Sequence, residues 1–532
     1  MMFRLRVLIL SGLILVLAAC GTAAPAEEGS AEVAVAGGTV SRAITSEPNS
    51  LDPGGPFGSG QNIVLPYLFD NLILQTAEND YVPLLAESWD VSEDGKIVTF
   101  TLKEGLVFHD GTAVNADAVV FTFERLLNPE NKSPMAGILR DVTQVSATDD
   151  RTVEFYFEQP SATFFSSITL PYAGIVSPQA VNELGEDFAL QPVGTGPFKL
   201  AAWTPGVEIV LERNPDYAWN PPVVENEGAP HLDQVAFKVI PDAATQLTAL
   251  QAGEVDVVFV NQPDHIERLE ADPNVTLHQV NLNSLVYMGF NNQQAPLDEL
   301  AVRQALSHMV NKPEVVALAL GGKGETAYAP MSPTLPGFDP GLQELELQYD
   351  LEAARALLQE AGFSEVDGGW ERNGDPLELR LLTFTRAPNQ DVATVVQNQL
   401  SELGIPVEIQ QFDAPTAAKA AREGEFDLLL WRYDWNDPSV LATYLSGERI
   451  GSTNRMFYDN AAVNELFSQA ALEMDTDARS QLYLEAQRLI MADAPWVALY
   501  TPIDIVAVNA RIQDPAFAGM GRMLLNDVKL SD

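Results

Sequence analysis

Strand-patterned and helix-patterned segments alternate without interruption from Thr39 to about Ala510. A chain that interleaves the two periods closes its cores by packing helices onto sheets, so the predicted class is α/β rather than all-helical or all-β. The stretch is longer than one ordinary hydrophobic core spans, which predicts two or three lobes. Ile97 to Leu102 puts Val98, Phe100 and Leu102 on one face and Thr99 and Thr101 on the other. It follows the turn residues Ser92-Glu93-Asp94-Gly95, so a hairpin strand is expected there. Asn115 is expected to cap a helix to about Leu127, and Asp350 one through Glu360 that Gly362 ends. Asp391 should start another, closed at Leu403-Gly404. Leu429 to Tyr433 reads as a strand, Thr476 to Ala492 as an amphipathic helix, and Trp496 to Tyr500 as a buried strand. Pro and Gly clusters at 191–197, 219–230 and 330–341 mark boundaries or long surface loops.

The N-terminus has a different character. Arg4 and Arg6 precede an uncharged run from Val7 to Ala19, too short for a membrane span of roughly twenty residues but suited to a secretion leader. The run closes with Leu17-Ala18-Ala19-Cys20 and Gly21, which resembles the bacterial lipoprotein box. The expectation is a signal peptide over 1–19, lipid on Cys20 and a flexible tether over 20–38. Cys20 is the only cysteine, so no intramolecular disulfide is possible. No later apolar run approaches the length of a span. Acidic residues number 74 against 30 basic, a net charge of −44; removing Arg4 and Arg6 with the leader leaves 28 basic residues and −46. Such a surface repels phosphate backbones and anionic lipid, which excludes nucleic acid and polybasic membrane docking.

Enzyme signatures are missing. There is no G-x-S-x-G elbow and no P-loop, and Gly194-Thr195-Gly196 runs into Pro197-Phe198, which cannot open a helix on a pyrophosphate. The histidines at 109, 231, 265, 278 and 308 stand apart, without H-E-x-x-H spacing or thiolate partners, so no protein-made zinc site is expected. His109 is expected to satisfy a local hydrogen bond, and the Gly194-Thr195-Gly196 segment to hold a tight backbone path near a lobe crossover.

Five groups of segments follow one another along the chain. The first is Leu85-Ala86-Glu87-Ser88-Trp89 with Phe108-His109-Asp110-Gly111, and the second Val193 to Phe198 with Arg213-Asn214-Pro215-Asp216-Tyr217. The third is Asp242 to Val258, and the fourth Met288 to Asn292 with Val302-Arg303-Gln304-Ala305-Leu306. The last is Leu429 to Pro438 with Asp493-Ala494-Pro495-Trp496. In this order they resemble the solute-binding proteins of peptide and nickel ABC importers, the oligopeptide- and dipeptide-binding family. The resemblance implies a periplasmic-binding-protein-like Venus-flytrap of two hinged α/β lobes with a third lobe inserted. Lobe I takes 39–66, 192–285 and 497–532, lobe II 67–191, and lobe III 286–496. The chain crosses between lobes near Asn283–Asn291 and Ala494–Tyr500. It further implies a monomer with no catalytic activity and no cofactor. Its partners are a small solute, an ABC permease with its ATPase subunits, and the outer face of the cytoplasmic membrane through the lipid on Cys20.

The resemblance also carries over site residues. Asp434 matches the receptor for a peptide's α-ammonium group, and Arg386 the arginine with which dipeptide-binding members hold the α-carboxylate. Trp431, Tyr433 and Trp435 line up as apolar walls, and the strand they lie on can pair with an extended peptide as an added strand. Other readings stand beside these: core packing for the tryptophans, a solvated loop acid for Asp434, a surface ion pair for Arg386. A non-peptide ligand (a nickel chelate, haem, an oligosaccharide or an amine) fits the same fold, as does a peptide sensor or surface adhesin.

Overall fold

The computed structural model of the protein describes residues 37–531. The expected leader, Cys20 and the tether up to residue 36 lie outside them. Gly37 and Gly38, assigned above to the end of the tether, are instead fixed to the first lobe. The Gly37 N–H donates to the His231 carbonyl and the Gly38 N–H to Asp233 Oδ2, both at 2.8 Å.

Three sheets organise the chain. The first has seven strands in the order Val275–Val280, Asp504–Asn509, Val257–Val260, Thr39–Ile44, Gln234–Val239, Glu208–Arg213 and Phe198–Thr204. The second has six, in the order Gly324–Thr326, Trp496–Pro502, Ser284–Phe290, Leu428–Asp434, Leu379–Phe384 and Val407–Phe412. The third, inside the expected lobe II, is a four-stranded antiparallel sheet from Ala86 to Phe157. Its Ile97–Leu102 strand buries Val98, Phe100 and Leu102 in strict alternation, as the period-2 pattern requires.

The seven-stranded and four-stranded sheets share one apolar core. Phe100 and Phe155 of the four-stranded sheet belong to the same cluster as Phe198 and Phe237 of the seven-stranded one. The Ser59–Leu68 helix lies between them; its Tyr67 ring sits 5.4 Å from Phe237 and 6.3 Å from Phe198. A boundary at 66/67 therefore cuts a helix that serves both lobes.

Helix starts follow side-chain capping. Asn115 caps Ala116–Leu127 by accepting from the Ala118 N–H, and Asp350 caps Leu351–Glu360 by accepting from Glu352 and Ala353. One start lies elsewhere than expected. The helix assigned to Asp391 begins at Asn389, which leaves Asp391 in the first turn facing the helix dipole. The helix beginning at Thr476 is capped by Asp475, whose side chain accepts from Ala478.

The Gly194–Gly196 segment runs hard against the Ser59–Leu68 helix. A Cβ on Gly194 would lie 2.2 Å from the Leu68 carbonyl oxygen, and one on Gly196 2.4 Å from that of Tyr67. His109 is locked to this segment: Nδ1 accepts the Gly194 N–H at 3.3 Å and Nε2 donates to the Gly196 carbonyl at 3.0 Å. Only the neutral Nε2–H tautomer satisfies both bonds. Burial, the largest influence, lowers the His109 pKa to about 4. Nearby Asp70 is buried too, and burial raises it to about 6 against hydrogen bonds from Trp219 (2.9 Å) and Tyr217 (3.4 Å).

These two groups respond to acid in opposite senses. As pH falls from about 6.5 towards 4, the unfolded chain takes up a proton at its histidine that folded His109 refuses, and stability is lost. Over much of the same interval the folded chain protonates Asp70 before the unfolded chain does, and stability is gained. Each shift corresponds to about 3 kcal/mol, so the two nearly cancel. In urea titrations the unfolding free energy of the wild type minus that of Asp70→Asn should rise by about 2 kcal/mol between pH 7 and pH 4. A difference that stays constant with pH would show that Asp70 is not held neutral by burial.

Candidate functional site

The chain passes between the seven- and six-stranded sheets twice. Val275–Val280 ends in the first sheet and Ser284–Phe290 begins in the second, so one crossing is Asn281–Asn283. Trp496–Pro502 belongs to the second sheet and Asp504–Asn509 to the first, so the other crossing is Ile503. The return to lobe I thus falls after Pro502 rather than at 497, because 497–500 are paired with Ser284–Phe290. Asn283 turns the first crossing with φ of 49°, in the left-handed region that asparagine tolerates better than most residues.

A compact charged cluster sits at these crossings. The Leu428–Asp434 strand alternates, which puts Arg432 and Asp434 on one face and Trp431 and Tyr433 on the other. Arg432 Nε donates to Asp434 Oδ1 at 2.6 Å, and its Nη2 donates to Ser284 Oγ at 2.8 Å and to Asp504 Oδ2 at 2.9 Å. Ser284 Oγ in turn donates to Asp434 Oδ1. Asp504 is the first residue of its strand in the seven-stranded sheet, so Arg432 ties the two sheets together at the crossing. The side chains of Arg432 and Asp504 are 8% and 2% exposed, while that of Asp434 is 34% exposed. Burial opposes the charge on Arg432, but Asp434 and Asp504 together outweigh it and raise its pKa. Burial also raises Asp504 against the pull of Arg432.

Arg386 completes the group. It follows the Leu379–Phe384 strand and is accessible to solvent, and its guanidinium makes no hydrogen bond or ion pair among the described residues. Desolvation lowers its pKa, the Arg432 charge lowers it further, and Asp434 and Asp504 pull the other way. Two cations and two carboxylates thus sense one another, and their charges sum to zero. With Oδ1 of Asp434 occupied twice, its Oδ2 has no hydrogen bond and remains open.

The backbone beside Asp434 is open as well. Leu428–Asp434 pairs along its whole length with Ser284–Phe290, but with Leu379–Phe384 only at Leu428 and Leu429. Trp431 to Asp434 therefore has no strand partner on that side. Trp431 is half-buried, with its ring 4.6 Å from Phe384 and the Arg455 guanidinium 4.3 Å above it. Trp435 is half-buried at the end of the strand. Tyr433, expected as a wall, is fully buried. Its hydroxyl donates to the Pro330 carbonyl (3.0 Å) and accepts from the Ser332 N–H (3.1 Å), so it belongs to the lobe III core.

Sequence reasoning missed Arg432, Ser284 and Asp504. Arg432 was readable, since period 2 places it on the face of Asp434. Asp504 had a fainter signal, a lone carboxylate between the apolar runs Trp496–Tyr500 and Ile505–Val508. Nothing local marks Ser284.

Two cavities border the lobe junctions. One of about 300 Å³ touches Ser284, Asp504, Asn281, Thr334 and Thr501, directly at the crossings. One of about 340 Å³ separates lobes II and III and is lined by Tyr81, Trp89, Phe165, Asp437 and Arg479. The lobes touch around it: Gln75 Nε2 donates to the Asn436 carbonyl (2.9 Å) and Asn436 Nδ2 to the Ser166 carbonyl (3.0 Å). Among the described residues no group of three or more metal-ligating side chains gathers, and no helix is long and apolar enough to cross a membrane.

Comparison with known proteins gives relatives over most of the chain. The chain is 28% identical to di/tripeptide-binding protein 2 of Pseudomonas aeruginosa over 477 residues, covering 84% of this chain and 86% of that one. It is 26% identical to heme-binding protein A of Haemophilus influenzae over 541 residues, 95% of each chain. A solved structure of the ABC transporter-associated periplasmic binding protein DppA from Helicobacter pylori, in complex with the peptide STSA, superposes with a TM-score of 0.76. That match has 26% identity and covers 94% of this chain and 99% of that one. Such relatives are solute-binding transport proteins, not enzymes. The family described as bacterial extracellular solute-binding proteins, family 5 Middle, matches residues 80–452. With an α/β architecture, a two-strand crossing and a match over most of its length, this chain belongs to the family 5 bacterial extracellular solute-binding proteins.

Proposed function

We propose that this protein captures a short peptide with free termini, a dipeptide or short oligopeptide, by closure of lobes I and III, and delivers it to an ABC permease while lipid on Cys20 holds it at the membrane. The observation that supports the ligand class best is the open Oδ2 of Asp434, with unpartnered Arg386 in electrostatic reach, beside an unpaired strand edge. A peptide zwitterion carries one ammonium and one carboxylate, so it enters a neutral cluster without adding net charge. Asp434 Oδ2 receives the ammonium in a charge-assisted bond and the Arg386 fork receives the carboxylate. The free edge of Trp431 to Asp434 bonds the peptide's main chain, an interaction indifferent to side-chain identity. Closure about the two crossings shields these contacts from water and presents one shape to the permease.

Native mass spectrometry of protein purified without refolding should show a retained peptide, and calorimetry with Ala-Ala should show binding that terminal blocking destroys. Amidation of the C-terminus, which removes the partner of Arg386, should cost at least tenfold in Kd. A retained metal chelate, haem or sugar, or equal affinity for the amidated peptide, overturns the proposal.

A further inference from the structure

Four nitrogen and oxygen atoms around Trp431 and the adjoining core lack the partners that buried polar groups ordinarily find. Arg455 Nε and Nη1, Tyr287 Oη and Trp496 Nε1 are all buried and unbonded, and Tyr444 Oη makes no hydrogen bond among the described residues. They are neighbours. The Arg455 guanidinium lies 4.3 Å over the Trp431 ring, Trp431 is the strand partner of Tyr287, and the Tyr287 and Trp496 rings are 4.4 Å apart. Burial holds Tyr287 and Tyr444 above the usual phenol range, and in both the Arg455 charge pulls the other way, which puts the two hydroxyls within its field. Tyr444 also senses Asp434. Its ring stacks on that of Tyr433, 5.8 Å away and next to Asp434 in the strand, so the group lies beside the carboxylate receptor.

An arginine and a tryptophan donate and do not accept, and a tyrosine hydroxyl supplies a donor when an acceptor is offered. What this constellation lacks is a negatively charged acceptor. We infer that half-buried Arg455 and Tyr444, with buried Tyr287 and Trp496 behind them, form a subsite that takes a carboxylate on the first side chain of the bound peptide. The protein then selects short peptides that begin with an acidic residue. This rests on the peptide reading above: with the α-ammonium on Asp434, the nearest side chain is that of the first residue. A peptide lying along the free edge of Trp431 to Asp434 has both faces of the strand in reach, so its ammonium and first side chain engage different faces. The overall negative charge of the chain is screened beyond about 8 Å at physiological salt, and the local donors decide the preference.

Glu-Ala and Gln-Ala differ only in a charged oxygen against an amide, which makes them the probes. Calorimetry should show Glu-Ala binding at least tenfold tighter than Gln-Ala. Arg455→Gln should erase that ratio, Arg455→Lys should keep part of it, and Tyr287→Phe should reduce it several-fold. Equal affinity of the wild type for the two dipeptides, or a ratio that survives Arg455→Gln, overturns the subsite and assigns these donors to ordered water. If Ala-Ala, Gln-Ala and Glu-Ala all bind alike, the peptide reading stands and only the subsite falls. If none of the three binds, both fall. Should Arg455→Gln not fold, the wild-type ratio and Tyr287→Phe decide alone.

Discussion

Asp434→Ala is expected to weaken binding of a dipeptide with free termini by about 2–5 kcal/mol, the cost of leaving a desolvated ammonium without its partner. The structure gives the reason for the upper part of that range. Asp434 Oδ1 is held by Arg432 and Ser284, so the carboxylate is oriented before any ligand arrives and Oδ2 needs no rearrangement to receive a donor. The same substitution should leave the fold largely intact, because Arg432 keeps Asp504 as a partner at 2.9 Å. Calorimetry on Asp434→Ala, with a thermal melt as control, separates the two effects. Unchanged peptide affinity in a folded variant removes Asp434 from the site.

The second large effect concerns stability. Arg479 holds Asp437 in a two-pronged pair, Nη1 to Oδ2 at 2.8 Å and Nη2 to Oδ1 at 2.7 Å, and the side chains are 12% and 3% exposed. Removing one partner of such a pair leaves the other charged and buried, so Asp437→Ala should cost about 3–5 kcal/mol of lobe III stability in denaturant titrations. Replacing both residues with apolar side chains of similar volume should recover much of that loss. Burial alone would raise the Asp437 pKa, but Arg479 more than offsets it and the net shift is downward. The pair's contribution is therefore complete above the ordinary carboxylate pKa of about 3.9 and disappears only as pH falls through the lower folded value. A cost below about 1 kcal/mol for Asp437→Ala, the range of exposed pairs, would show that water reaches the pair.

Much of the fold was legible because it is written locally. The Asn115 and Asp350 caps, the alternation of Ile97–Leu102 and the buried run at Trp496 each depend on residues a few positions apart. Where readings slipped, the deciding contact was distant or subtle. The helix at Asn389 begins before its acidic residue because an N-terminal acid favours the first turn without having to be the cap. The lobe I return was placed at 497 because an apolar strand does not say which sheet it joins; pairing with Ser284–Phe290, more than 200 residues upstream, settles that. The site divides the same way. Asp434 and Arg386 could be nominated from short motifs, but the cluster around them draws Ser284 and Asp504 from strands far apart in sequence. Tyr433 shares its strand face with Trp431, so alternation does not separate the two; what buries Tyr433 is the distant Pro330–Ser332 segment that takes up its hydroxyl.

The two crossings have a mechanical consequence. Val275–Val280 pairs with Asp504–Asn509 on one side of the gap and Val286–Gly289 with Trp496–Tyr500 on the other, so the same two segments form a ribbon whose ladder is interrupted at the crossing. Flexing at that crease changes a handful of backbone torsions and breaks no interstrand hydrogen bond, whereas bending anywhere else would unzip a sheet. Under the proposed closure this crease is the axis of the swing, and the Arg432–Asp504 ion pair that spans it at 2.9 Å is the contact the motion must carry along.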